Sequence, residues 1–287
     1  MFTNIVKEDI GNFPNSFHAL QQECFLINSC LLSGFEFMVK GSFSDVNQGH
    51  YYAALFQLSI GLERILKLTV ASDHILGNVK ENKKIIHEGF NKDLKSKGHN
   101  LIDLYETVCN LSVKYDHRIP RIEKESTQHK ILDCIDRFAQ APGRYYHISN
   151  IEFSNSKSPL ETLQDVHEKI KGDELSETKK RNIENRVFKN LSPTLQIDDI
   201  ANNTGYVHDF YAEELTREVN PYIVLNLVKL LIPIIDLLNE FSLQCHEIQT
   251  TKYIRNYPTI PYYGEFFDFR FTTRRDIMRR KCWTSFL

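Results

Sequence analysis

Apolar residues recur at steps of three and four over long stretches of this chain, and this spacing most limits its fold. One apolar stripe runs from Ser16 to Lys40, a length of about six helical turns. A second stripe runs from Gln48 to Ala71, with Glu63 and Lys67 as an i,i+4 pair on its wetter side. Such stripes are typical of helices that bury one face. The sequence therefore predicts a mainly α protein.

Helix boundaries can be placed from local chemistry. Asn100 is expected to cap a third helix, and a fourth helix begins near Ser126 and ends before Pro142-Gly143. Ser158-Pro159-Leu160-Glu161 combines a serine cap, a proline at the first helical position and the glutamate of a capping box. A helix is expected to begin there, and a charged helix over residues 175–191 follows it.

The most apolar stretch runs from Tyr222 to Leu238 and is 17 residues long. Three of its residues would raise the free energy of insertion into the hydrocarbon core of a bilayer, namely Asn226, Lys229 and Asp236. A buried central helix is therefore expected, and no membrane span. Asn220-Pro221 is expected to begin this helix, after a separate helix over residues 206–218, and Pro233 is expected to kink it.

The cysteines and the known catalytic motifs limit compartment and chemistry. The six cysteines include no CxxC pair, and the N-terminal residues include acids where a signal peptide needs an apolar run. Reduced thiols and a cytoplasmic location are expected. Cys24 and Cys30 are six residues apart, a spacing unsuited to a shared ligand on one helix face. No metal site and no cofactor is predicted, and phosphate-loop, dinucleotide-binding, HExxH and GxSxG motifs do not occur.

The last forty residues differ in character from the helical part. Phe267, Phe269 and Phe271 alternate with Asp268 and Arg270, and this period of two predicts a short, half-buried strand. Six cations lie within twelve residues near the end of the chain: Arg270, Arg274, Arg275, Arg279, Arg280 and Lys281.

Two interpretations of this basic cluster stay open. The cations could neutralise RNA phosphates, with Trp283 and the aromatic residues of the segment 262–271 as stacking surfaces. Alternatively, the tail docks through its aromatic residues onto the helices or a partner, and its arginines are solvated or paired with acids.

Two segments of the chain resemble HEPN domains, the helical bundles named for higher eukaryotes and prokaryotes nucleotide-binding. These are AALFQLSIGLERILKLTV (Ala53 to Val70) and KGHNLIDLYETV (Lys97 to Val108). RFAQAPGRYYHISNI (Arg137 to Ile151) looks like the arginine-bearing part of such domains. The resemblance covers residues 16 to about 150. It implies a four- or five-helix up-and-down bundle that often dimerises and that occurs in bacterial toxin–antitoxin, abortive-infection and CRISPR-linked defence systems.

The resemblance also implies a chemistry. Active family members are metal-independent endoribonucleases in which a histidine follows an arginine by four to six positions. A histidine can move a proton near neutral pH and an arginine can hold the phosphate, while the ribose 2′-hydroxyl attacks. The resemblance indicates Arg144, Tyr146 and His147 as catalytic residues, and Arg137 as an RNA contact. Arg144 and His147 are only three residues apart. In the alternative, structural interpretation, the tyrosines pack and His147 binds a backbone carbonyl.

Three segments are predicted: a HEPN-like bundle over residues 1–153, additional helices packing on it over 154–250, as the same or a second domain, and an aromatic, basic extension over 251–287. The first hypothesis is a bacterial defence or toxin-type protein that binds or cleaves RNA, as a homodimer or with a protein partner in a defence complex. The alternative is a non-catalytic helical subunit whose C-terminal strand and basic tail bind a partner protein.

Overall fold

Helices make up most of the chain that the computed structural model describes, which is residues 15–43, 47–81, 99–140, 158–191, 204–251 and 258–286. In chain order they are α1 (Asn15–Lys40), α2 (Gln48–Lys80), α3 (Leu101–Val113), α4 (Thr127–Ala139), α5 (Pro159–Asp173), α6 (Glu177–Leu191), α7 (Thr204–Thr251) and α8 (Arg274–Ile277). Three short 3-10 turns lie near the C-terminus: Tyr263–Phe266, Asp268–Phe271 and Thr284–Phe286. The mainly α fold class is confirmed.

The caps predicted for three of these helices are present. The side chain of Asn100 accepts a hydrogen bond from the Asp103 N–H at 3.0 Å, and that of Ser126 caps α4 in the same way. At the start of α5, Ser158 Oγ accepts from the Glu161 N–H at 3.0 Å, and Glu161 Oε2 accepts from the Ser158 N–H at 3.1 Å. Local sequence therefore determined where these helices begin, because a cap needs only residues within one turn.

α1 and α2 lie close together because each has a glycine where the two helices meet. A Cβ atom added to Gly34 of α1 would lie 2.7 Å from Leu58 Cγ, and one added to Gly61 of α2 would lie 2.8 Å from Leu31 Cδ2. Both distances are shorter than a carbon–carbon contact of about 3.5–4.0 Å. A side chain at either position would force the facing leucine to move or the two helices to separate.

α7 is the central helix of the core. It packs against α1, α2, α4, α5 and α6. Its residues Lys229 and Asp236 are exposed, whereas Asn226 is buried and donates hydrogen bonds to Glu174 and to the Tyr222 carbonyl. The segment Phe210–Thr251 is long and apolar enough to cross a membrane, and 72% of its apolar window is buried in the protein. The buried core helix of a soluble protein can have the same length and composition, so these two properties do not identify a membrane span.

One hydrophobic core joins the three predicted segments. It includes Leu31 of the first segment, Val166 of the second and Trp283 of the third. The helices after residue 158 and the C-terminal extension thus pack directly on the first helices.

The predicted helix boundary at Asn220-Pro221 is wrong, because α7 continues through both Pro221 and Pro233. Tertiary contacts hold the helix together at this point. Tyr51 Oη donates a hydrogen bond to Asn220 Oδ1 at 3.1 Å, and Asn220 Nδ2 donates one to the Gly41 carbonyl at 2.9 Å. These buried bonds attach α7 to the helix pair α1–α2 beside the proline, which outweighs the missing backbone donor.

The predicted strand over residues 267–271 is also wrong, because this segment forms 3-10 turns. Phe267 and Phe269 are fully buried and Phe271 is exposed. The period of two does not distinguish a strand from an irregular segment that packs alternate side chains on a surface. A strand needs a neighbouring strand for its backbone hydrogen bonds, and the described part of the chain offers only helices here.

Replacing Gly61 by alanine tests the close approach of α1 and α2. The new methyl group would meet Leu31, so the free energy of unfolding of Gly61→Ala is expected to be lower than that of a Gly→Ala variant without a steric contact by roughly 1–3 kcal/mol, the usual cost of overpacking. Gly77→Ala in the same helix is the matched control, because a Cβ atom there meets nothing within 4 Å. Its expected effect is a gain of roughly 0.5–1 kcal/mol. Urea denaturation followed by far-UV circular dichroism measures both, and equal stability of Gly61→Ala and Gly77→Ala would contradict the packing described.

Candidate functional site

A basic groove lies between the C-terminal tail (residues 258–286), α1, α6 and α7. Its volume is about 1010 Å³. Eight cationic side chains and one carboxylate, that of Glu218, contribute to its lining. The cations are Lys40, Lys179, Arg217, Arg274, Arg275, Arg279, Arg280 and Lys281. Val39, Pro221, Tyr222 and Met278 complete the surface. The whole chain has a net charge of −2, so this positive field is local.

The C-terminal tail forms one wall of this groove because α1 binds it in two ways. The Trp283 ring is fully buried and packs edge-on against Phe35 of α1, with ring centroids 5.1 Å apart. Beside it, Glu36 Oε2 accepts hydrogen bonds from the backbone N–H of Trp283 at 2.9 Å, the backbone N–H of Thr284 at 3.0 Å and the Thr284 hydroxyl at 2.8 Å. The other oxygen of Glu36 accepts from Lys40 Nζ at 2.6 Å. One carboxylate thus fixes the tail and places a groove cation.

These bonds make Glu36 strongly acidic. The Lys40 ammonium and then the Thr284 N–H lower the pKa of Glu36 to about 2, from an ordinary value of 4.5. A charged acceptor strengthens each of these hydrogen bonds. The ionised form of Glu36 is therefore part of the folded tail.

A short helix, α8, presents the cations of the tail. It begins with a capping box, in which Thr273 Oγ1 accepts from the Asp276 N–H at 3.2 Å and Asp276 Oδ2 accepts from the Thr273 N–H at 3.3 Å. Four cations of α8 and the residues after it are exposed and make no direct ion pair within the described ranges; they are Arg274, Arg275, Arg279 and Lys281. The charge of Arg275 interacts with Asp276 at longer range. These four side chains are the part of the groove that is available to an anion.

The acid in the groove is already compensated. Glu218 Oε1 accepts from Arg186 Nη2 at 3.0 Å, and its Oε2 accepts from Lys179 Nζ at 3.2 Å. Arg186 also donates to Glu214 at 2.6 Å, and Glu214 in turn accepts from Arg217 at 2.9 Å. This network joins α6 to α7, and it leaves no uncompensated carboxylate among the described lining residues.

Two of the six cations of the tail cluster have other partners. Arg270 is not part of the groove lining; its guanidinium lies over the Phe271 ring at 4.4 Å and its Nη1 is 3.6 Å from Asp236 Oδ1. Arg280 contributes to the groove, but its guanidinium also packs on Phe286 at 4.2 Å and on Trp283 at 5.6 Å. Arg270 and Arg280 therefore brace the tail.

The remaining predicted residues do not join this groove. Arg137 pairs with Asp133 at 2.9 Å and lines a smaller pocket of about 220 Å³ between α4 and α5. The predicted catalytic residues Arg144, Tyr146 and His147 lie outside the described residues. Trp283, expected as a stacking surface, is buried and cannot meet a ligand.

Sequence reasoning missed three cations of the groove: Lys40, Lys179 and Arg217. They lie on three different helices, between 57 and 234 residues before Arg274 along the chain, and no linear pattern links them to the tail. Only the packing of α1, α6 and α7 around the tail brings them together.

A second polar cluster lies on the surface of α2. Glu63 Oε1 accepts from Lys67 Nζ at 2.8 Å and contacts His99 Nδ1 at 2.8 Å. Burial raises the pKa of Glu63, but the bonds from Lys67 and His99 outweigh it and the pKa is lowered overall. The expected pair of Glu63 and Lys67 is therefore present, with His99 as an added partner. Within the described ranges, no group of three or more metal-ligating side chains occurs.

No protein-family model, no curated protein and no solved structure matches this chain.

Replacing Glu36 by glutamine tests how the tail is held. The loss of charge weakens three hydrogen bonds to the tail, so the free energy of unfolding is expected to fall by roughly 1–3 kcal/mol. Trp283 is the single tryptophan of the chain, so its fluorescence reports on the tail directly. Glu36→Gln is expected to shift the emission to longer wavelength and to increase quenching by acrylamide. Glu23→Gln on the same helix is the control, because Glu23 pairs with Arg64 instead.

The same pair of proteins gives a pH test. Because the pKa of Glu36 is lowered in the folded protein, its stabilisation is complete above an ordinary pKa of 4.5 and is lost as the pH falls towards about 2. The stability difference between parent and Glu36→Gln should be constant from neutral pH to about 4.5 and should then shrink. A difference that stays constant down to pH 2 would show that Glu36 does not hold the tail as a carboxylate.

Proposed function

We propose that this protein binds RNA in the basic groove, as a defence or toxin-type protein. The observation that supports the proposal most directly is the lining of the groove, with eight cations against one compensated carboxylate. Clustered arginines and lysines bind phosphates through charge and paired N–H donors. A cluster of this kind in a chain of net charge −2 favours a ligand that brings several negative charges to one place.

The arrangement of the cations favours an extended ligand. Arg274, Arg275, Arg279 and Lys281 line the groove from the tail, and Lys179 and Arg217 line it from α6 and α7. A single phosphate could contact only part of this set, whereas a nucleic-acid backbone offers successive phosphates along the groove. The resemblance of the first half of the chain to HEPN domains favours RNA among the possible polyanions.

Neutralising the tail cations tests the groove. The triple variant Arg275→Gln, Arg279→Gln and Lys281→Gln is expected to weaken binding of RNA, measured by fluorescence anisotropy with a labelled single strand. If four exposed cations each displace counterions, the parent's slope of log affinity against log salt is about −3 for a single strand, and the variant's slope is about −1.

The matched control is Arg118→Gln, Lys124→Gln and Lys189→Gln, which removes the same charge from exposed positions outside the groove. This control should retain the parent's affinity and slope. Equal losses in the two triple variants would indicate non-specific attraction and would refute the groove as the binding site. Absence of RNA binding by the parent at low salt would instead favour the alternative hypothesis, a non-catalytic helical subunit that binds a partner protein.

Cleavage of RNA stays a separate prediction, based on the resemblance and on Arg144 and His147. The parent protein is expected to cut structured RNA in the presence of EDTA and to leave 2′,3′-cyclic phosphate ends, because the 2′-hydroxyl would be the nucleophile. His147→Ala should reduce the rate at least about 100-fold, the usual contribution of a proton-transfer group. Arg144→Ala should reduce it by about 100-fold or more, because the developing charge on the phosphate loses its donor. Cleavage at the parental rate by both variants would show that these residues are wrongly assigned.

A further inference from the structure

Phe271 is a large aromatic side chain that the fold leaves in solvent next to the basic groove. Its exposed fraction is 70%. Phe271 precedes Arg274 by three residues, so their Cα atoms are at most about 11 Å apart. Arg274 lines the groove and begins α8. Phe271 does not itself line the groove, but a ligand bound at Arg274 lies within reach of this ring.

The ring of Phe271 is held in place from one side. The Arg270 guanidinium lies 4.4 Å from the ring centroid, which is the distance of a cation–π contact. Arg270 itself is only 18% exposed and has the Asp236 carboxylate of α7 at 3.6 Å. One face of the phenyl ring is thus covered by an anchored planar group, and the opposite face is open to solvent.

The space for Arg270 depends on Gly264. A Cβ atom at this position would lie 2.9 Å from Arg270 Nη2 and 2.9 Å from Asn239 Oδ1. The Gly264 N–H also donates to Asn239 Oδ1 at 3.3 Å. The turn Tyr263–Phe266 therefore packs directly against the guanidinium that supports Phe271. Close packing at Gly264 therefore restricts the guanidinium that covers one face of this exposed ring.

We infer that Phe271 stacks on a base of single-stranded RNA whose phosphates lie in the groove, an inference that rests on the proposed RNA binding. An aromatic face beside a row of cations is the usual arrangement for binding single strands, since every base has a π-face and every phosphate has a charge. In a duplex the bases are already stacked on one another and offer no face to a protein ring. The groove with Phe271 therefore selects single strands over duplexes.

The test compares Phe271→Ala with the parent on three probes: a single-stranded oligoadenylate, the same strand in a duplex, and inorganic polyphosphate. Stacking on one base corresponds to a loss of roughly 5- to 150-fold in affinity for the single strand. Polyphosphate has no bases, so its affinity should not change. Phe271→Trp should retain single-strand binding. Phe188→Ala is the matched control, because Phe188 on α6 is also an exposed phenylalanine, at 68%.

The outcomes separate this inference from the proposed function. If the parent binds neither the oligoadenylate nor polyphosphate, the proposed function fails. If the parent binds RNA and Phe271→Ala binds it equally well, only the stacking inference fails. A Phe271→Ala variant that loses polyphosphate to the same extent would show that Phe271 merely shapes the groove. Binding of anionic phospholipid vesicles that depends on Phe271, without binding of RNA, would overturn the inference in favour of a membrane surface.

Discussion

The close contact of α1 with α2 is the constraint on which the rest of the structure depends. Gly34 and Gly61 allow the two helices to approach, and each receives a leucine of the other helix. This spacing determines where α1 presents Phe35 and Glu36. Phe35 packs on the buried Trp283, and Glu36 binds the backbone beside it. Helix packing thus decides where the C-terminal tail lies, and the tail in turn forms one wall of the groove.

The groove combines two kinds of cation, and they have different roles. Lys179 and Arg217 are tied to Glu218 and Glu214 in a network that also includes Arg186, so they contribute to the field from fixed positions. The exposed cations of the tail make no direct ion pair among the described residues and can follow a ligand. Arg270 and Arg280 instead pack on aromatic rings. Of the six cations that are neighbours in the sequence, two arginines therefore have a structural role, and the other four side chains are exposed and can bind an anion.

Local signals in the sequence predicted the helices well and the C-terminal segment poorly. Caps such as Ser158 with Glu161 involve residues within one turn, and the sequence was sufficient to locate them. Pro221 also gave a clear local signal, but the buried bonds of Asn220 to Tyr51 and Gly41 keep the helix continuous. The alternation of Phe267 and Phe269 with polar residues was interpreted as a strand, although it arises because both rings are buried in the core, with Phe269 against Phe35 of α1.

The sequence by itself determined the helical fold class, the main helix starts and the basic character of the tail, because periodicity, capping and charge are properties of neighbouring residues. Tertiary structure alone decided that Lys40, Lys179 and Arg217 face this tail, since they come from separate helices. It also decided that Trp283, expected as a stacking surface, is buried, and that Phe271 is exposed although the period of two groups it with the buried Phe267 and Phe269. Such outcomes depend on which surfaces meet in the folded chain, and the local sequence around a residue does not specify these contacts.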